Sequence, residues 1–178
     1  ERHGHEAGHR RDEQEAAAFR LALGASGLFP AVVHIPYLPN IACPDSKFYR
    51  PSVDAVAEDL ERAGRLGAAY LVIHIGHRME TPEARAVEAV AEAVNEAFER
   101  VDNSVALLAE NTAGQGSEIG WRFEQIREII GRIGDRDRVG VCLDVAHAFE
   151  AGYDLSTAEG IDRTLKTFDR VIGLGRLR

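Results

Sequence analysis

The chain has 178 residues, of which 45% are hydrophobic, 28% charged and 7% aromatic, enough for one buried core. It contains no run of 18 apolar residues and opens on no basic segment followed by an apolar one, which excludes a helical membrane span and whole-chain disorder and leads to no signal peptide being expected. The formal charge of −8 argues against a general polyanion-coating protein, and two cysteines, Cys43 and Cys142, make no disulfide framework, so a cytoplasmic protein is expected.

In chain order, residues 1–10 are polar, carry His3, His5 and His9 without periodicity, and are expected to form a mobile tail ahead of a domain over 11–178. A helical stretch with Ala17, Phe19, Leu21 and Leu23 ends near Gly27, and a short strand follows at 31–35. From about Pro51 a second helix puts Val53, Val56, Ala57, Leu60 and Ala63 on one face and closes at Gly67. The next strand is expected at 70–75. Thr81-Pro82-Glu83 reads as a cap with proline at the first helical position, opening a helix that buries Val87, Val90, Val94, Ala97 and Val101. A strand at 105–109, a helix at 123–133 and a strand at 139–143 follow. Ser156 and Glu159 then read as a capping box before a helix carrying Ile161, Leu165 and Phe168. Near-continuous apolar strands alternating with amphipathic helices mean an α/β fold with a parallel sheet, either an open doubly wound sheet or a β/α barrel.

The polar residues at the strand ends carry the chemistry. His34, His74, Glu110 and Asp144 each follow an apolar strand and lie 34 to 40 residues apart, one β/α unit each time. His147 stands three residues beyond Asp144. In a parallel sheet the carboxyl ends of the strands all face one side, and in a barrel they ring one mouth. Buried ionisable groups cost several kcal/mol each unless paired or ligated, so two histidines, a glutamate and an aspartate gathered there imply a divalent ion. Nitrogen and carboxylate donors without thiolate favour zinc, manganese or iron over calcium.

Other motifs carry less. His5-Glu6-Ala7-Gly8-His9 fits the H-E-x-x-H zinc helix of metalloproteases, but it has no scaffold before it and a glycine inside it. Gly114-Gln115-Gly116 lacks the spacing of a phosphate or dinucleotide loop, so no nucleotide cofactor is expected. Cys142 sits within a strand and reads as a small core residue rather than a nucleophile.

Several consecutive stretches resemble the endonuclease IV family. Val32-Val33-His34-Ile35-Pro36-Tyr37-Leu38-Pro39-Asn40 resembles its H-x-x-Y-L-x-N segment, and Glu110-Asn111-Thr112-Ala113-Gly114-Gln115-Gly116 its ENTAGQG signature. The run from Val139 to Phe149, with Leu143-Asp144-Val145-Ala146-His147 at its centre, resembles the RVGVCxDTCHAF strand, and Ala151-Gly152-Tyr153-Asp154-Leu155 the segment after it. The likeness extends from about Asp12 to Leu177. It implies a TIM barrel and an apurinic/apyrimidinic endonuclease of base excision repair that uses three zinc ions on double-stranded DNA with abasic sites. Position by position, one zinc would take His34, His74 and a bridging, catalytic Glu110. The second would share Glu110 and add Asp144, and the third would take His147. Tyr37 and Leu38 match the pair that enters DNA at the damaged site.

The sequence departs from that family in places. Ile75-Gly76-His77-Arg78 stands where Pro-Gly-Ser-His is usual, and Val145-Ala146 where Thr-Cys is usual. Only about four central β/α units of a TIM barrel are present, since a full barrel takes around 250 residues; the family's first two strands, and the part supplying the remaining zinc ligands, have no counterpart here. About one zinc is therefore expected for this chain, with impaired or no activity, and its oligomeric state is left open. Two alternatives remain: a metal-dependent sugar isomerase or epimerase on the same barrel type, or a non-catalytic fragment.

Overall fold

The computed structural model describes residues 2–178, with side chains from residue 12 onward. The elements run α1 (Arg2–Ser26), β1 (Val32–His34), α2 (Tyr49–Leu66), β2 (Tyr70–His74), α3 (Glu83–Arg100), β3 (Ala106–Glu110), α4 (Phe123–Arg132), β4 (Val139–Cys142), α5 (Val145–Glu150) and α6 (Ala158–Val171). The four strands form one parallel sheet in the order β1-β2-β3-β4. Sequence neighbours are thus spatial neighbours throughout, as in a segment of a β/α barrel. Among the described residues no helix is long and apolar enough to cross a membrane. The tail expected over 1–10, with His5 and His9, falls on residues whose side chains lie outside the described ones.

The two faces of the sheet differ. Leu71, Ile73, Leu107, Ala109, Val139 and Val141 pack on the helices in a continuous buried cluster. Helix α2 supplies Val53, Val56, Ala57, Leu60 and Ala63, and α3 supplies Val87, Val90, Val94 and Ala97, the faces that helical spacing marks out. Gly67 ends α2 in the left-handed conformation (φ 71°), where its N–H satisfies a helix carbonyl. On the opposite face the register sets Val72 beside His34, and His74 beside Glu110. Residues alternate sides along a strand, so His34, Val72, His74, Leu108, Glu110 and Cys142 share this face.

Some local expectations shift. Thr81 does not cap α3: it is buried, its hydroxyl faces Cys43 Sγ at 3.5 Å, and its N–H donates to the Arg78 carbonyl. Pro82 therefore takes the N-cap position itself, its carbonyl accepting from Ala86. Helix α6 is capped by Thr157, whose hydroxyl accepts from Gly160 N–H, while Ser156 and Thr157 both donate to the Asp154 carboxylate. Its buried stripe is Gly160, Thr164 and Phe168, which leaves Ile161 on the exposed side. Phe19 and Leu21 of α1 are exposed as well, and β1 is shorter than expected. After α6, Leu177 bridges to Val141 in parallel, at the free edge of β4.

Truncating a fully buried core side chain removes contacts the neighbours cannot replace. Leu60→Ala should lower the unfolding free energy by about 3 kcal/mol, while Leu38→Ala, at 91% exposure, should change it by less than ~0.5 kcal/mol; urea denaturation followed by circular dichroism measures both.

Candidate metal centre

His34, His74 and Glu110 are the last residues of β1, β2 and β3, and Asp144 caps α5 two residues past the end of β4. The parallel register brings all of them to one end of the sheet. Glu110 lies at the centre, with its side chain only 6% exposed. Its Oε2 is 3.0 Å from His34 Nε2 and 3.2 Å from His74 Nδ1, and its Oε1 is 3.5 Å from His147 Nδ1. No lysine or arginine reaches it among the ion pairs of the described residues. Two groups could each hold a metal ion: His34, His74 and Glu110, and Glu110, Asp144 and His147, with ligand atoms within 4.8 Å of one another in each. Every strand-end residue singled out from the sequence is in one group or the other.

Hydrogen bonds settle which atoms are free. A carbonyl only accepts, so His34 Nδ1–H donates to the Ile35 carbonyl at 2.7 Å. In that tautomer a neutral ring would turn the Nε2 lone pair on a carboxylate oxygen 3.0 Å away. Two acceptors at that distance repel unless a cation, a proton or a metal ion, lies between them. His147 is oriented in the same way, Nδ1–H donating to the Asn111 carbonyl at 3.0 Å. Burial pushes His74 below the ordinary imidazole range; His34 and His147 push the same way, and Glu110 opposes them. Its ring is therefore neutral at pH 7, the form that binds metal. Burial also raises the Cys142 thiol, followed by the charges of Glu110 and Asp144, so it is no nucleophile.

Sequence reasoning assigned Asn111 no role, although it lies within the quoted signature. Its side chain donates to the Asp144 carbonyl (3.1 Å) and accepts from Asp144 N–H (2.7 Å), pinning the end of β3 to the turn that carries Asp144 and His147. The signal was present: a buried asparagine beside a ligand usually orients it. Asn40, also unassigned, accepts from the N–H groups of His77 and Ala42 and donates to the His77 carbonyl, joining the loops after β1 and β2. Gly76 is required there, since at φ 104° a Cβ would lie 2.4 Å from Asn40 Oδ1.

These loops surround a cavity of about 520 Å³ lined by Tyr37, His74, His77, Gln115, Glu118 and His147 among others. Tyr37 and Leu38 stand at its rim, 63% and 91% exposed. Tyr37 packs edge-on against His74, with ring centroids 5.0 Å apart.

A family model described as a xylose isomerase-like TIM barrel matches residues 2–178. The chain is 46% identical over 168 residues to the "Probable endonuclease 4" of Methanosphaerula palustris, covering 93% of this chain and 59% of that protein. It is 48% identical to the protein of the same name in Methanoculleus marisnigri, covering 92% and 58%. It thus spans about three fifths of the length of these curated relatives. The crystal structure of endonuclease IV from Thermus thermophilus superposes with a TM-score of 0.78 at 38% identity, over 92% of this chain and 56% of that one. A D-tagatose 3-epimerase-like protein superposes with a TM-score of 0.73 at 19% identity, a likeness of fold alone.

Cobalt(II), whose absorption reports on nitrogen and oxygen ligands, tests the centre. Titration should give a saturable band that Glu110→Gln abolishes, and Asn111→Ala should weaken binding by about 10- to 100-fold. Unchanged affinity in Glu110→Gln would show that the imidazoles and carboxylate pair without an ion.

Proposed function

Because the chain belongs to the xylose isomerase-like TIM barrel family, we propose, from its relatives and its strand-end centre, that it serves a zinc-dependent DNA-repair endonuclease which hydrolyses the phosphodiester 5′ of an abasic site. The observation that carries this reading is Glu110, which belongs to both donor groups, with His34 and His74 in one and Asp144 and His147 in the other. That is the arrangement a carboxylate shared by two ions requires. The sugar epimerase alternative rests on a likeness at 19% identity, against 46% and 48% for the relatives called endonuclease 4. The two cysteines are both unpaired, in keeping with a reducing, cytoplasmic setting.

His34 Nε2, His74 and Glu110 would hold one zinc, and Glu110, Asp144 and His147 would contribute to others. Zinc supplies water activation near neutral pH and neutralises charge on phosphate oxygens. The protein's part is positional. The Ile35 and Asn111 carbonyls fix the two imidazoles, and the Asn111 side chain holds the Asp144 backbone, keeping its carboxylate within reach of Glu110. Tyr37 and Leu38, exposed at the rim, would enter the duplex where a base is missing. A nucleotide without its base costs less to turn out of the stack, which is the source of selectivity.

Binding provides the first test. The chain should prefer a duplex with one tetrahydrofuran abasic analogue over the undamaged duplex. Its affinity should fall steeply with salt, and Tyr37→Ala should remove the preference while Lys47→Ala changes it little. Equal affinity for the two duplexes would overturn the reading.

Metal content and incision provide the second. About one zinc should be retained per chain of 178 residues, since both three-donor groups draw on the single Glu110 carboxylate. Incision should be at least about a thousandfold slower than by an intact relative, because lost metal assistance of several kcal/mol is worth a factor of ten per 1.4 kcal/mol. The residual activity should be EDTA-sensitive and absent in Glu110→Gln. Incision at the relative's rate would show that these residues suffice.

A further inference from the structure

The mouth contains a polar contact that none of the metal donors uses. Tyr37 Oη lies 3.2 Å from His77 Nε2, and Glu118 Oε1 lies 3.9 Å from the same nitrogen. The tyrosine comes from the loop after β1, the histidine from the loop after β2 and the glutamate from the loop after β3. Three separately anchored segments therefore meet at one imidazole.

Each anchor is built into the backbone. Asn40 grips both the N–H and the carbonyl of His77, at 3.0 and 2.9 Å. Residues 77 and 118 form an antiparallel bridge, and Glu118 Oε2 accepts the Gln115 N–H at 2.9 Å. Glu118 is well buried, its side chain 12% exposed. Tyr37, by contrast, is 63% exposed. Its ring meets His74 edge-on at 5.0 Å and His77 edge-on at 6.4 Å, and the hydroxyl bond to His77 supplies the polar anchor that fixes it. A hydroxyl both donates and accepts, so this bond forms whichever way the Nε2 proton stands.

We infer that His77, backed by Glu118, is a positioning residue for Tyr37: it holds the tyrosine ring edge-on to the metal centre in the orientation that meets DNA lacking a base. What Tyr37 meets rests on the proposed function; the contact itself rests on the geometry. An aromatic side chain already held in its bound orientation spares the cost of ordering it on association, worth about 2- to 10-fold in affinity.

Two measurements test this, and they fail separately. Without DNA, the chain labelled with ¹⁵N-histidine should show a His77 Nε2 resonance, assigned by its loss in His77→Gln. That resonance should shift in Tyr37→Phe, which keeps the ring and removes the hydroxyl; an unmoved resonance overturns the contact. With DNA, His77→Ala should weaken binding to the tetrahydrofuran duplex about 3- to 10-fold and binding to undamaged duplex less than twofold. Tyr37→Phe should cost the same, the double variant should cost no more than either alone, and His77→Gln should restore most of the affinity. Additive losses, or equal losses on both duplexes, would overturn the positioning role. If the unsubstituted chain binds both duplexes equally, the DNA reading falls, whereas the resonance shift still reports whether His77 holds the tyrosine.

Discussion

A carboxylate buried at the end of a central strand, surrounded by imidazoles and reached by no lysine or arginine among the described residues, sets the terms for this molecule. Left alone, the Glu110 charge would cost several kcal/mol, and a neutral His34 ring would add a repulsive lone pair 3.0 Å away. A cation relieves both. The surrounding hydrogen bonds make sense in that light: the Ile35 and Asn111 carbonyls take the protons that would otherwise leave the ring orientations undefined.

The parallel register delivers these groups with little help from loops. His74 and Glu110 are direct partners across the β2–β3 ladder, and His34 lies one strand over on the same face. Only Asp144 and His147 lie past a strand end, and there a second device is needed, the two bonds from Asn111 and the cap that Asp144 makes on His147 N–H. The side of the sheet that packs on the helices is wholly apolar and carries the stability. The polar end carries the chemistry, so the demands on the two sets of residues separate.

The rim divides the work again. Leu38 is almost fully exposed and Tyr37 largely so, an expensive choice for apolar groups with no surface to cover. Exposure of this kind suits side chains that find their partner in another molecule. A chain with a net charge of −8 has little general attraction for DNA, so recognition would depend on this rim and on the charge of bound metal rather than on a broad basic surface.

Much of this was legible in the residues themselves. Apolar runs spaced by amphipathic helices specify a parallel sheet, and the spacing of His34, His74, Glu110 and Asp144 places one ionisable group at each strand end, because side-chain periodicity and strand direction are local properties. Val53 to Ala63 and Val87 to Ala97 lined the core as helical spacing dictates. The cap expected at Thr81 is lost because its hydroxyl turns to Cys43, and the cap of α6 falls one residue beyond Ser156, on Thr157, whose hydroxyl is the one that meets the Gly160 N–H. Helical spacing gives an apolar stripe but not which edge of it the neighbouring helix covers, and in α6 the structure leaves Ile161 exposed and Phe168 buried. What only the tertiary structure decided is the pairing across loops. That Glu110 turns one oxygen to His34 and His74 and the other to His147, that Asn111 and Asn40 tie neighbouring loops together, and that Tyr37 meets His77 are all matters of distance between segments 33 to 76 residues apart, and no local pattern encodes a distance of that kind.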